Sequence, residues 1–220
     1  MDNTLSLNQL ELIHQRWLKR QKSRNKHLNN LDDITKIEPP ERIQKRLNHL
    51  AQIKKKKVYD TPHKIIQEIG HERIIGDDDF LGINFFEVGL AVSRSVCKVH
   101  VLDGSKRFLG SGTGFMVSPS LMITNNHVLE SVEIGMNSTA EFDFQLDRRG
   151  NTLPSVHFAF DPVAFFHTNQ ALDYSLIAVK PIGNSGKELS GFGWNKMLGE
   201  GKALIGDPLN IIQHPNWRMT

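Results

Sequence analysis

The chain has 220 residues, 39% of them apolar and 23% charged, which is enough to bury a core in one or two domains. The formal net charge of +3 is modest, and no apolar run approaches the roughly 18 residues of a membrane span. Cys97 is the only cysteine, so no disulfide can form within the chain.

The most apolar window, Phe80 to Val92, is interrupted by Glu87. Met1-Asp2-Asn3-Thr4 leads into a polar segment without the basic and apolar regions of a secretory signal. These features favour a cytoplasmic protein, or one exported by a route without a recognisable signal, and no membrane contact is expected.

Residues 1 to about 57 read as helices. Leu10, Ile13 and Trp17 recur at helical spacing. Pro39-Pro40 breaks the pattern, Pro40 suits the first turn of a second helix, and Ile43, Leu47, Leu50 and Ile53 form its apolar stripe. From Glu11 to Lys57 there are 14 Lys/Arg against 5 Asp/Glu, ending in Lys54-Lys55-Lys56-Lys57. Such a front could be an arm for nucleic acid or a protein partner. The scarcity of interleaved aromatics weighs against stacking on bases and favours the solvated face of a helical hairpin. A protein partner stays open. A third short helix is expected between Thr61-Pro62 and Gly70. Asp77-Asp78-Asp79 lacks the ligand spacing of a calcium loop and reads as a turn.

Beyond about residue 94 the texture changes to strands. Cys97, Val99 and Val101 alternate with Lys98 and His100. Ala140, Phe142, Phe144 and Leu146 alternate with Glu141, Asp143 and Gln145, and Val156, Phe158 and Phe160 repeat the pattern. A period of two with one apolar face means half-buried antiparallel strands. Many short strands separated by turns such as Arg148-Arg149-Gly150-Asn151 predict a barrel or sandwich.

Two segments carry chemistry. In the first, Gly112-Thr113-Gly114-Phe115-Met116-Val117 and Leu121-Met122-Ile123-Thr124 are strands joined by Ser118-Pro119-Ser120, and they deliver Asn125-Asn126-His127-Val128-Leu129. The second is Leu172-Asp173-Tyr174-Ser175-Leu176-Ile177-Ala178-Val179, an aspartate at the mouth of an apolar strand. A serine hydroxyl is a poor nucleophile at neutral pH and needs an adjacent base. Histidine, with an ordinary pKa of about 6.5, takes and returns a proton. A carboxylate on its other ring nitrogen fixes the tautomer and stabilises the imidazolium.

These segments resemble the trypsin-like serine peptidases of the chymotrypsin fold, most closely the bacterial branch that includes glutamyl endopeptidases. The resemblance implies a general-base role for His127 and an orienting role for Asp173. Gly206-Asp207-Pro208-Leu209-Asn210-Ile211-Ile212-Gln213-His214-Pro215 resembles a strand early in the family's second barrel. The implied fold class is mainly β: a double β-barrel preceded by an α-helical region. The expected division is a basic helical region at 1–76, a lead-in at 77–94, a nearly complete first barrel at 95–180, and the opening of an incomplete second barrel at 181–220. Strands of that opening are expected near Ala203-Leu204-Ile205 and from Leu209 to Ile212.

In this family the nucleophile lies in a Gly-x-Ser-Gly turn well after the His-Pro segment, where this sequence supplies only Trp217-Arg218-Met219-Thr220. The expectation is that these four residues are out of frame, that the chain is truncated before its serine, and that alone it folds poorly and does not cleave peptides. Ser111 and Ser190, each followed by glycine, stand in the wrong places for a nucleophile, and Ser175 should pack. The activity implied is serine-type endopeptidase chemistry on protein or peptide substrates, with no metal or organic cofactor. The alternative is a non-catalytic scaffold whose helical front binds partners. His71-Glu72 begins like a zinc helix, but Ile75 occupies the place of the second histidine. His157 and His167 read as a strand and a loop residue, and Cys97 as a buried, inert thiol.

Overall fold

The computed structural model describes residues 7–31, 33–53, 84–199, 202–205 and 209–214. The helix expected at Thr61 to Gly70 and the Asp77–Asp79 turn lie outside these residues. The chain divides into two compact units.

The first unit is helical at its core. Helix α1 spans Leu7–Leu28 and α2 spans Pro40–Ile53, with a 3-10 turn at Ile34–Lys36 between them. Pro40 opens α2, where its missing N–H costs nothing. The α1 stripe is amphipathic, yet Leu10, Ile13 and Trp17 remain exposed. In α2 Ile43 is buried. Glu38, also buried, pairs with Arg42 at 3.0 Å, and Arg42 donates to the carbonyl of Ala203. No described helix is long and apolar enough to cross a membrane.

The second unit holds the sheet. Helix α3 (Asn84–Ser93) precedes seven antiparallel strands: β1 (Val96–Leu102), β2 (Phe108–Met116), β3 (Leu121–Thr124), β4 (Thr139–Phe142), β5 (Val156–Ala159), β6 (Phe166–Asn169) and β7 (Tyr174–Ala178). A short helix α4 (Val132–Asn137) follows β3, capped by the Ser131 hydroxyl, which accepts from the N–H of Ile134. The spatial order is β5-β4-β1-β2-β3-β7-β6. A bridge between Phe160 and Val179 joins the ends of β5 and β7 and curls the sheet on itself. The described residues are thus mainly β, a curled antiparallel sheet preceded by helices, in keeping with the fold class the resemblance implies.

Alternation decides what lies inside. Cys97 and Val99 of β1, Ala140 and Phe142 of β4, and Val156 and Phe158 of β5 are all at most 1% exposed. They pack with Met116, Met122, Leu129 and Ile177. Phe142, Phe158 and Phe192 form a triangle with ring centroids 4.9 to 5.5 Å apart. Each such ring contributes roughly 1.5–3 kcal/mol by leaving water.

Three sequence expectations are corrected. The β4 alternation does not run on to Leu146: Asp143 takes φ 58, which ends the strand at Phe142. His167 stands in β6, paired opposite Leu176, rather than in a loop. The described residues of Ala203-Leu204-Ile205 and Leu209 to Ile212 form no strands.

Candidate active site

Both chemical residues sit just outside strand ends, on neighbouring strands. Strands β3 and β7 pair with Thr124 opposite Ser175, so the residues after Thr124 and before Tyr174 emerge on one rim. After Thr124 the chain makes a single helical turn, with the N–H groups of Val128 and Leu129 both donating to the carbonyl of Asn125. That turn lifts His127 over the rim. Just before β7, Asp173 takes φ 56, a left-handed conformation that aspartate tolerates better than most residues. It turns the carboxylate back toward the β3 loop.

The two side chains meet there. Nδ1 of His127 lies 3.0 Å from Oδ1 and 3.1 Å from Oδ2 of Asp173. The backbone N–H of His127 donates to the same Oδ1 at 3.2 Å, and Asn125 Nδ2 donates to the Asp173 carbonyl at 3.2 Å. The carboxylate therefore grips both the ring and the main chain of the histidine. The His127 and Asp173 side chains are 33% and 19% exposed, so the ring remains reachable from solvent. Among the described residues nothing hydrogen-bonds its Nε2.

A buried hydroxyl chain fixes the rim. Ser175, wholly buried, donates to the carbonyl of Leu129 at 2.7 Å, and its Oγ lies 2.6 Å from Oγ1 of Thr168. Thr168 in turn accepts from Asn126 Nδ2 at 2.7 Å. Ser175 thus ties β7 to the loop carrying His127, and its hydroxyl faces the interior. The paired glycines of β2 have an equally local cause. A Cβ on Gly112 would lie 2.6 Å from Cγ2 of Val128, the residue after the histidine, and one on Gly114 would lie 2.5 Å from Sδ of Met122. The Gly-Thr-Gly run therefore lets the histidine loop and β3 settle against β2.

Three serines bear on the nucleophile. Ser111 lies within β2 and Ser190 in the 3-10 turn Leu189–Phe192, where it donates to Glu188. Sequence reasoning passed over the third, Ser185, although Gly183-Asn184-Ser185-Gly186 is literally a Gly-x-Ser-Gly. The structure places it in a tight hairpin closed by the Gly183 N–H on the Lys187 carbonyl, with Gly186 at φ 77. That hairpin follows the far end of β7 and docks on β5, where Asn184 N–H donates to the His157 carbonyl. Asp173 and Val179 bound the strand, and at about 3.3 Å per residue they stand roughly 20 Å apart. Ser185 is beyond the opposite end of β7 from the histidine–aspartate pair.

The barrel, the glycine pair and the rim-borne histidine–aspartate couple define a peptidase-type domain. Residues 112–219 match the family model described as a trypsin-like peptidase domain. That match supports a trypsin-like serine peptidase domain over this stretch. The match takes in Trp217 to Met219, residues read from sequence as out of frame. The chain is also 36% identical over 149 residues to an uncharacterized protein, y4fB, of Sinorhizobium fredii (strain NBRC 101917 / NGR234). The aligned region is 66% of this chain and 22% of that relative, so the chain spans about a fifth of the protein it matches.

Proposed function

We propose that the domain provides the base and its orienting carboxylate for serine-type endopeptidase chemistry, and that the nucleophilic hydroxyl comes from a segment other than the described residues. The observation that carries this reading is the asymmetry of the His127 ring: Nδ1 is held by Asp173 while Nε2 has no partner among the described residues. With the proton fixed on Nδ1, Nε2 accepts the proton of an incoming serine as its oxygen attacks the scissile carbonyl. The imidazolium so formed is stabilised by Asp173, and it returns the proton to the leaving amine as the acyl-enzyme forms. Water then takes the place of the amine, and the same two residues run the second half in reverse order.

The reading implies that these 220 residues alone do not cleave peptide bonds. The purified chain should remain unlabelled by a fluorophosphonate probe. The chain joined to a downstream trypsin-like segment bearing a Gly-x-Ser-Gly should be labelled and should cleave peptides, both effects vanishing in His127→Ala. Labelling of the chain alone at Ser185, or cleavage indifferent to His127→Ala, would overturn it.

A further inference from the structure

A second histidine–carboxylate cluster lies on the outer, polar face of the sheet, built by register alone. Lys98 and His100 of β1 point away from the core, as do Glu141 of β4 and His157 of β5. Strand pairing sets Lys98 opposite Glu141, and Glu141 opposite His157. His100 Nε2 lies 2.6 Å from Glu141 Oε2, and His157 Nε2 lies 3.4 Å from Oε1 of the same carboxylate. The three candidate donor atoms all fall within 4.8 Å of one another.

We propose that His100, Glu141 and His157 form a binding site for a divalent transition-metal ion of the Zn2+ class. Two imidazoles and a carboxylate are a borderline-soft donor set suited to Zn2+. Around a tetrahedral ion with bonds of roughly 2.0–2.2 Å, donor atoms stand about 3.3 Å apart. The observed separations bracket that value, so side-chain rotations can close the site without moving a strand. Glu141 is buried, and its Oε1 also accepts from Ser155 Oγ at 2.6 Å, an outer hydrogen bond of the kind that orients a ligating carboxylate. The His157 side chain is 37% exposed, which leaves a path for the ion and a fourth position for water.

The charges agree with this role. Burial lowers His100 below its ordinary range although Glu141 opposes the shift, which favours the neutral ring that a metal needs. Burial alone would raise Glu141, but hydrogen bonds from Ser155 and His100 outweigh it and keep the carboxylate ionised. Lys98 is the neighbour that opposes a cation. Its ammonium packs 4.0 Å from the centroid of the Phe144 ring. The consequence of binding is mechanical: one ion would clamp β1, β4 and β5, and β5 is the last strand of the ladder.

The test is Zn2+ titration of the chelator-stripped full chain, followed by calorimetry and by the visible absorption of Co2+ in its place. One equivalent should bind, with the intense absorption of a tetrahedral Co2+ site, and should raise the melting temperature. His157→Ala should lose that equivalent, His167→Ala on β6 should keep it, and Ser155→Ala should weaken it about 10-fold. Glu141→Gln, which preserves side-chain shape, repeats the test should His157→Ala fail to fold. Equal Zn2+ uptake by the parent and by either cluster variant, or no uptake by the parent, would overturn the proposal.

Discussion

The barrel carries two histidine–carboxylate groupings, and they are positioned by opposite means. His127 and Asp173 stand on loops just beyond strand ends, held by a helical turn and a left-handed backbone, with one ring nitrogen unpartnered among the described residues. His100, Glu141 and His157 stand within strands, where the ladder dictates which side chains adjoin and the His100 ring turns its Nε2 onto the carboxylate. A loop at a strand end can aim a reactive nitrogen outward. A strand interior can only bring neighbours together. The first arrangement suits proton transfer to a visiting group and the second suits closure around something small.

The largest expected effect breaks the two apart. In the serine-bearing fusion described above, Asp173→Asn should lower kcat by on the order of 10⁴-fold, because the amide favours the wrong tautomer of His127. Its melting temperature should change little, since the rim hydroxyl chain through Ser175 and Thr168 is untouched. Glu141→Ala should do the reverse. Removing a buried carboxylate and leaving its hydrogen-bond donors unsatisfied costs roughly 1–3 kcal/mol, seen as a lower denaturation midpoint, while kcat stays near the parent value. If Asp173→Asn retained kcat, or Glu141→Ala abolished it at full folding, the division of labour would be wrong.

A second expected effect concerns Gly112. Its added Cβ in Gly112→Ala would press on both methyl groups of Val128 at 2.6 and 2.7 Å. Overpacking of this kind costs roughly 1–3 kcal/mol. Because Val128 follows His127, the same substitution should also lower kcat with little effect on KM. Unchanged kcat together with lost stability would show that the glycine serves packing alone.

The sequence made the first grouping readable and hid the second, for physical reasons. His127 and Asp173 each lie beside an apolar strand within a local pattern, and the glycines at 112 and 114 mark the close approach of neighbouring elements. The His100 cluster has no local pattern. Its members are 41 and 16 residues apart in the chain, and only the β1–β4–β5 register unites them. The signal was present as three polar-face residues in alternating strands, but alternation does not say which strands pair. The β4 strand was read too long because period-two patterning continues through Asp143, where the backbone turns left-handed. Strand β6 escaped notice because only Phe166 of Phe166-His167-Thr168-Asn169 is apolar, so no apolar alternation marks it. Helix α4 escaped notice because its six residues make fewer than two turns, too short to show a helical period.

The smallest expected effect supplies a third carboxylate as a reference, one that meets hydrogen-bond donors but no imidazole. Asp147 closes the hairpin between β4 and β5. Its Oδ1 accepts from the N–H groups of Arg149 and Asn151, and its Oδ2 from the Asn151 amide. The Asn151 backbone bond leads in holding its pKa below the ordinary 3.8. A lowered folded-state value means that the unfolded chain binds the proton more readily, so the contribution is present above about pH 4 and lost as pH falls through the folded value. Amide exchange should show this directly. Protection at Arg149 and Asn151 should be flat at neutral pH and decline below pH 4, and Asp147→Asn should flatten the curve. The carboxylate is solvent-exposed, so the change should stay local and leave global melting unmoved. A decline that began well above pH 4 would instead show that another group titrates into this hairpin, and Asp147 would no longer serve as an independent reference.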